Sequence, residues 1–360
     1  MNSEKKKKYH EYYRKKRRRV TENEYLSSMR SEENILEIDH LSTCFYMEEG
    51  TVQAVDDVSF DIPCGKTVGI VGESGCGKTV TSLSLMGLLP EPQGRIEQGS
   101  IRFFDKRRDR MIDLVKLPEK EYRKIRGNDI SMIFQEPMTS LNPIYTIGNQ
   151  LEECIRTHNP EIQRREARRR IMQILRKVGI TRESIFDSYP YELSGGMRQR
   201  VVIAMALIGE PQLVIADEPT TALDVTTQAQ ILELLKSLKE EVISSIILIT
   251  HDLGVIAEMA DYVVVMYAGK VIEAGTVEDI FYQPRHPYTV GLMRSKPILN
   301  QEIEELYAIP GSVPNLMKLP TGCYFHTRCG RCTDICRKEY PKTTFCSNTH
   351  RVSCFYQHTY

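Results

Sequence analysis

The sequence predicts an α/β fold from residue 35 onward, on three observations: short apolar runs recur along the chain, stretches of helical period separate them, and a glycine-rich P-loop pattern joins one run to one such stretch. Continuous apolar runs mark strands buried on both faces, as in parallel sheets. "ILEIDHL" (35–41) and "AVDDVSFDI" (54–62) read as short apolar strands, and the continuous runs are "TVGIVG" (67–72), then "ISMIF" (130–134), "LVIAD" (213–217), "SIILIT" (245–250) and "YVVVMYAG" (262–269). Helical period is clearest over 165–179 and 226–242.

At 360 residues with 41% hydrophobic content, the chain can bury a sizeable core and hold two or three domains. Its formal charge is zero, but residues 1–20 hold ten Lys/Arg against two Glu, so the basic character is confined to a tail. Residues 1–34 read as a basic flexible extension. No run reaches the ~18–20 apolar residues of a membrane helix, and the start lacks the apolar stretch of a signal peptide. A cytoplasmic location follows as an expectation, and in that reducing compartment clustered thiols favour metal or catalytic chemistry over disulfides. After about residue 285 prolines multiply and a cysteine-rich terminus begins. The expected division is therefore 1–34, then 35–285 as a nucleotide-binding domain, then a smaller domain over 286–360.

Gly72-Glu73-Ser74-Gly75-Cys76-Gly77-Lys78-Thr79 matches the full P-loop pattern between a strand and a helix. Glycines there let backbone N–H groups converge on phosphate oxygens. Lys78 reaches the β- and γ-phosphates, and the Thr79 hydroxyl suits Mg²⁺. "LVIADEPTTALD" (213–224) drives a strand into the core and delivers Asp217 and Glu218 at its carboxyl end, where ligands of open α/β sheets bind. Asp217 suits Mg²⁺, and Glu218 suits polarising a water for attack on a γ-phosphate. "LSGGMRQR" (193–200) sets Ser194, Gly195 and Gly196 at a helix start, where backbone N–H groups and a hydroxyl can meet an anion.

Taken together, these motifs closely resemble the ATP-binding cassette family: the P-loop at 72–79, "FQEP" with Gln135, "LSGGMRQR", the segment ending in Asp217 and Glu218, "ALD" at 222–224, and "ITHD" with His251. The resemblance implies an ABC-type P-loop NTPase with a mixed sheet core, an antiparallel β subdomain and a helical subdomain at about 136–200. It implies two cassettes stacked head to tail, with each ATP between one P-loop and the other chain's signature. Position by position it makes Glu218 the catalytic carboxylate, His251 the γ-phosphate contact, and Gln135 a link between the Mg²⁺ site and the helical subdomain. Thr79 and Gln135 would hold Mg²⁺, Asp224 would lie at the dimer seam, and Phe45, with Tyr46 as fallback, would stack on adenine. The nucleotide set is completed by Gly72, Ser74, Gly75, Cys76, Gly77, Lys78, Thr79, Val80, Asp217, Ser194, Gly195 and Gly196.

Beyond the cassette, "FQEPMTSLNPIYTIGNQ", "PRHPYT" and "PGSVPN…PTGCYFHTRC" resemble the ATPase subunits of bacterial dipeptide/oligopeptide importers, over about residues 35–360. That resemblance implies a peripheral protein on the cytoplasmic face of the membrane, two membrane-spanning permease subunits, a second and homologous cassette chain, an extracytoplasmic solute-binding protein, and no nucleic-acid partner. Importers of nickel and other small solutes share much of it. Two other classes compete: a soluble cassette ATPase acting on nucleic acid or ribosomes, and an iron-sensing regulatory module. One P-loop and no long heptad array weigh against the first.

Six of ten cysteines fall in 323–354, a segment poor in aliphatic side chains that needs a staple to fold. Ligand type admits iron–sulfur or zinc, and the single C-x₂-C pair (Cys329, Cys332) lacks the second pair of a zinc ribbon. The family resemblance selects Cys323, Cys329, Cys336 and Cys354 as ligands of a [4Fe–4S] cluster, with Zn²⁺ or no metal as the alternatives. It leaves Cys332 and Cys346 aside. Cys76 would be oxidisable if charge at the helix terminus lowered its thiol pKa.

Overall fold

A computed structural model describes residues 20–135, 140–221, 223–241, 245–295 and 307–357. Residues 1–19 of the basic extension, 136–139 after Gln135 and Ala222 of the "ALD" segment lie outside the described residues.

Two sheets carry the fold. The first is antiparallel, ordered β2-β1-β4-β5, from β1 (Asn34–Tyr46), β2 (Thr51–Pro63), β4 (Gly94–Asp105) and β5 (Arg110–Asp113). The second has eight strands in the order β11-β12-β10-β9-β3-β8-β7-β6. These are β3 (Thr67–Val71), β6 (Ile130–Ile133), β7 (Leu213–Asp217), β8 (Ser245–Ile249), β9 (Tyr262–Tyr267), β10 (Lys270–Thr276), β11 (Thr344–Phe345) and β12 (Arg351–Val352). Strands β9, β3, β8, β7 and β6 pair in parallel and β10 turns back antiparallel, so the sheet is mixed.

Successive strand residues point to opposite faces, and this sheet is covered on both. Val214, Ala216, Ile246, Leu248, Val263 and Val265 enter one apolar core, while Leu213, Ile215, Ile247, Ile249, Val264 and Met266 enter the other. That split is why β7, β8 and β9 read as unbroken apolar runs.

The helices that position the site are α1 (Lys78–Met86), α2 (Ile147–His158), α3 (Arg164–Lys177), α4 (Gly195–Leu207), α5 (Val225–Glu241), α6 (Leu253–Met259), α7 (Pro287–Arg294) and α8 (Asp334–Lys338). Helix α3 shows how an arginine-rich segment folds: Ala167, Ile171, Ile174 and Leu175 make one buried stripe, and Glu166 pairs with Arg169 and Arg170 on the outer face. Residues 147–207 thus form a helical block between β6 and β7.

Residues 20–34 and 307–357 are laid against this framework. Tyr25 is buried, Leu26 bridges to Ile112, and Arg30 pairs with Glu37, Asp39 and Asp61 on the antiparallel sheet. Residues 20–34 are therefore docked, in contrast to the flexible extension expected for all of 1–34, because acids on β1 and β2 neutralise the arginine. At the other end β12 pairs with β10, and Phe325 joins the same apolar core as Tyr267 and Tyr288. With few aliphatic residues of its own, the cysteine-rich segment borrows the main core. No helix among the described residues is long and apolar enough to cross a membrane.

Candidate functional site

The fully buried strand β3 ends at Val71, and the loop 72–77 runs into α1. At Gly72 (φ +153°) a Cβ would overlap the Met266 carbonyl and stand 2.7 Å from Cys76 Sγ. At Gly77 (φ +103°), the residue capping α1, it would stand 2.5 Å from the Ala54 carbonyl oxygen. The loop is thus pressed on β9 and β2 and tolerates no side chain at either place. Gly77→Ala is expected to cost ~1–3 kcal/mol of stability and to weaken nucleotide binding by ~10-fold or more, checked by thermal unfolding and titration with a fluorescent ATP analogue.

The Lys78 ammonium donates to the carbonyls of Gly72 (2.8 Å) and Glu73 (3.1 Å), which fixes it under the loop. Ser74, Gly75 and Thr79 are exposed at the mouth and Val80 is half-buried behind them. Cys76 is fully buried, and burial raises its thiol pKa more than nearby Lys78 lowers it. A reactive, low-pKa thiol is therefore excluded there.

Strand β7 delivers the two acids beside the loop. Asp217 is 2% exposed, its Oδ1 is buried with no hydrogen-bond partner, and the Thr79 side chain lies near enough to bear on its carboxyl. Burial pushes its pKa up to about 6, the nearby Thr79 hydroxyl opposing. An orphaned carboxylate oxygen beside a threonine hydroxyl is a fitting donor set for a hard dication such as Mg²⁺.

Glu218 follows at the end of β7 with φ +46°, a left-handed conformation. Its Oε2 accepts from Gln135 Nε2 (2.9 Å) and the Thr221 hydroxyl (2.9 Å), and His251 Nδ1 lies 3.3 Å from its Oε1. Burial raises the Glu218 pKa, but the bonds from Thr221 and His251 outweigh it and keep the carboxyl below its ordinary range. A carboxylate held ionised can orient a water or accept its proton. The fold therefore brings together Lys78, Thr79, Asp217, Glu218, Gln135 and His251. Sequence reasoning missed Thr221, for which a hydroxyl residue three positions after Glu218 is the available signal.

Ser194 caps α4, its hydroxyl accepting from Met197 N–H (3.3 Å), with Gly195 exposed and Gly196 half-buried. This N-terminus opens to solvent, as a surface awaiting an anion does. Asp224 is exposed and caps α5 through Thr227 N (2.9 Å) and Oγ1 (2.7 Å). Phe45 is half-buried at the end of β1, whereas Tyr46 is engaged by Glu97 (2.8 Å) and stacked under Arg95 (5.2 Å to the ring centroid).

In the C-terminal segment Cys323, Cys329, Cys336 and Cys354 line one cavity of about 20 Å³, shared with Phe325, His286 and Pro341, while Cys332 and Cys346 do not line it. Burial, with neighbouring thiols adding, pushes Cys323 up to about 12 and raises Cys329. Burial likewise lifts Cys354 to about 11. Among the described residues no group of three or more His, Cys, Asp or Glu side chains forms a ready metal centre.

Comparison with known proteins supplies the family. Residues 55–221 match the ABC transporter family, and residues 272–336 match the oligopeptide/dipeptide transporter C-terminal region. The chain is 51% identical over 322 residues to the oligopeptide transport ATP-binding protein AppD of Bacillus subtilis, covering 89% of this chain and 96% of that one. It is 52% identical over 326 residues to the dipeptide transport ATP-binding protein DppD of the same organism, covering 90% and 95%. It also resembles a solved ATP-binding cassette, dimeric in a post-hydrolysis state with ADP and Pi, at 28% identity and TM-score 0.58, over 67% of this chain and 98% of that one. With a buried P-loop lysine, an orphaned aspartate and an ionised glutamate at the strand ends, the chain belongs to the ATP-hydrolysing subunits of ABC transporters, in the branch that carries the oligopeptide/dipeptide transporter C-terminal region.

Proposed function

We propose that this chain powers uptake of dipeptides or oligopeptides across the cytoplasmic membrane, from its inner face. The observation that carries the reading is the convergence of Lys78, Thr79, Asp217 and Glu218 at one mouth, in a chain about half identical to proteins named for peptide transport. Lys78 binds the β- and γ-phosphates of ATP, Glu218 orients the attacking water, and His251 contacts the γ-phosphate. Asp217, Thr79 and Gln135 hold Mg²⁺, which when bound neutralises phosphate charge. Gly72, Ser74, Gly75, Cys76, Gly77 and Val80 wrap the phosphates from the loop and the start of α1, and Phe45 stacks on adenine.

Ser194, Gly195, Gly196 and Asp224 serve the partner cassette's ATP, since in one chain the signature start faces solvent. The dimeric cassette to which this fold is similar supports such pairing. The second cassette is a homologous chain, and two permease subunits and an extracytoplasmic solute-binding protein complete the assembly. A groove of about 250 Å³ lined by Met86, Leu88, Phe134, Val202 and Met205, with Leu88 and Phe134 exposed, supports a membrane-subunit contact beside α1 and α4. Functionally, 35–285 is the motor, 286–360 an appended unit and 1–34 an extension. Deleting the chain from its cell is expected to abolish accumulation of labelled dipeptide; retained peptide uptake with lost nickel uptake would overturn the substrate.

For the appended unit we propose that Cys323, Cys329, Cys336 and Cys354 bind a [4Fe–4S] cluster. Four thiols lining one cavity, beside His286 and His326, support it, and zinc would accept the same donors. Anaerobically purified protein is expected to be brown with about four irons per chain, the ligand count of such a cluster; colourless, iron-free, folded protein would overturn the cluster.

A further inference from the structure

The P-loop is gripped from the C-terminal region. The Glu73 N–H donates to the Tyr288 hydroxyl on α7 (2.8 Å), and Arg328 Nη1 and Nη2 donate to the two Glu73 carboxylate oxygens at 2.6 and 3.0 Å. This is a bidentate fork, the strongest geometry available to such a pair. The Arg328 side chain is only 4% exposed, against 28% for Glu73. Two further donors go to the carbonyls of Pro310 (2.9 Å) and Ile309 (3.2 Å), and the guanidinium lies 5.8 Å from the Tyr267 ring centroid and 6.0 Å from that of Phe325. The C-terminal fold therefore fixes the cation before it meets the P-loop.

Glu73 needs this partner. It is the second residue of the loop, and its carbonyl already helps seat Lys78. A free carboxylate on a loop that wraps a polyphosphate repels its ligand, and in a half-buried setting that repulsion is weakly screened. Arg328 both neutralises the carboxylate and holds it to the side facing residues 307–328.

We infer that Arg328 is a positioning residue for ATP, keeping the Glu73 carboxylate neutralised and turned away from the phosphates. The role rests on the ATPase assigned above and reaches it from a region outside the cassette motifs. Because Cys329 follows directly and Phe325 lines the thiol cavity, nucleotide affinity also depends on how residues 323–329 are folded.

The test compares KM for ATP, kcat and thermal unfolding in the full chain and its variants. R328Q is expected to raise KM by about five- to ten-fold while kcat at saturating ATP stays within about two-fold, the pattern of lost ground-state binding. The double variant E73Q/R328Q is expected to return KM to within about two-fold of the parent, because glutamine brings no charge to the loop. An unchanged KM in R328Q overturns the role, and so does a double variant as impaired as R328Q, which a purely structural contact would produce. Should R328Q fail to fold, E73Q alone decides: KM at or below the parent value supports the inference, and a KM more than about three-fold higher overturns it. Parent protein that bound no ATP would overturn the ATPase reading itself, whereas normal parent binding beside an unaffected R328Q overturns only the role of Arg328.

Discussion

Glu218→Gln is expected to lower ATP turnover by about 10² to 10⁴-fold while leaving ATP binding within about three-fold, because a single positioned acid–base group contributes rate of that size. The argument starts at β7, whose buried register leaves Glu218 at the strand end in a left-handed conformation. Thr221 and His251 hold its carboxyl below the ordinary range, so it is ionised at neutral pH and can take a proton from water. Glutamine keeps the shape and can still bond Thr221, so Lys78 and the loop glycines retain the phosphates. Single-turnover hydrolysis with parallel nucleotide titration checks the result. Unchanged hydrolysis would remove Glu218 from the chemistry and leave His251, 3.3 Å away, as the group to test next.

Much of this site is legible in the sequence because its parts are local. A P-loop is eight consecutive residues, β7 carries its acids at its own end, and Ser194 caps the helix that it begins. The central strands are legible because both faces are buried, which removes polar interruptions from β3, β7, β8 and β9. By contrast β4 mixes exposed and buried positions over Gly94–Asp105, and β11 and β12 are two residues each, too short for any period to register. What sequence could not show is pairing at long range. Arg328 meets Glu73 across 255 residues, and Tyr324 bonds Asp56 (2.6 Å) across 268. Such contacts depend on where the C-terminal segment docks, which its own composition does not encode. The same holds for the thiols: spacing leaves open which of Cys329 and Cys332 faces inward, and the cavity lining separates them.

Asp217→Asn is expected to lower Mg²⁺-dependent hydrolysis by at least ~10²-fold, the scale of removing one pre-organised charge-stabilising group, and yet to make the metal-free protein more stable. Burial lifts the Asp217 carboxyl from the ordinary 3.8 to about 6, worth ~3 kcal/mol. The unfolded chain releases this proton near 3.8 and the folded chain only near 6, so metal-free stability is full below 3.8, falls across that window and stays lower above it. Asparagine carries no proton to release, so at pH 7.5 the variant should gain ~1–3 kcal/mol, and the gain should shrink as the pH drops toward 4. Mg²⁺ with ATP should reverse the order, since ligand at 100 times its dissociation constant stabilises the parent by ~2.7 kcal/mol and the variant by far less. Denaturant unfolding at pH 5 and 7.5, with and without Mg²⁺ and ATP, checks all three statements. A variant less stable than its parent at pH 7.5 without metal would mean that the buried carboxylate is compensated and that Asp217 is a structural acid. The expected outcome instead makes it a charge stored in the fold at a cost of stability, released when the dication arrives.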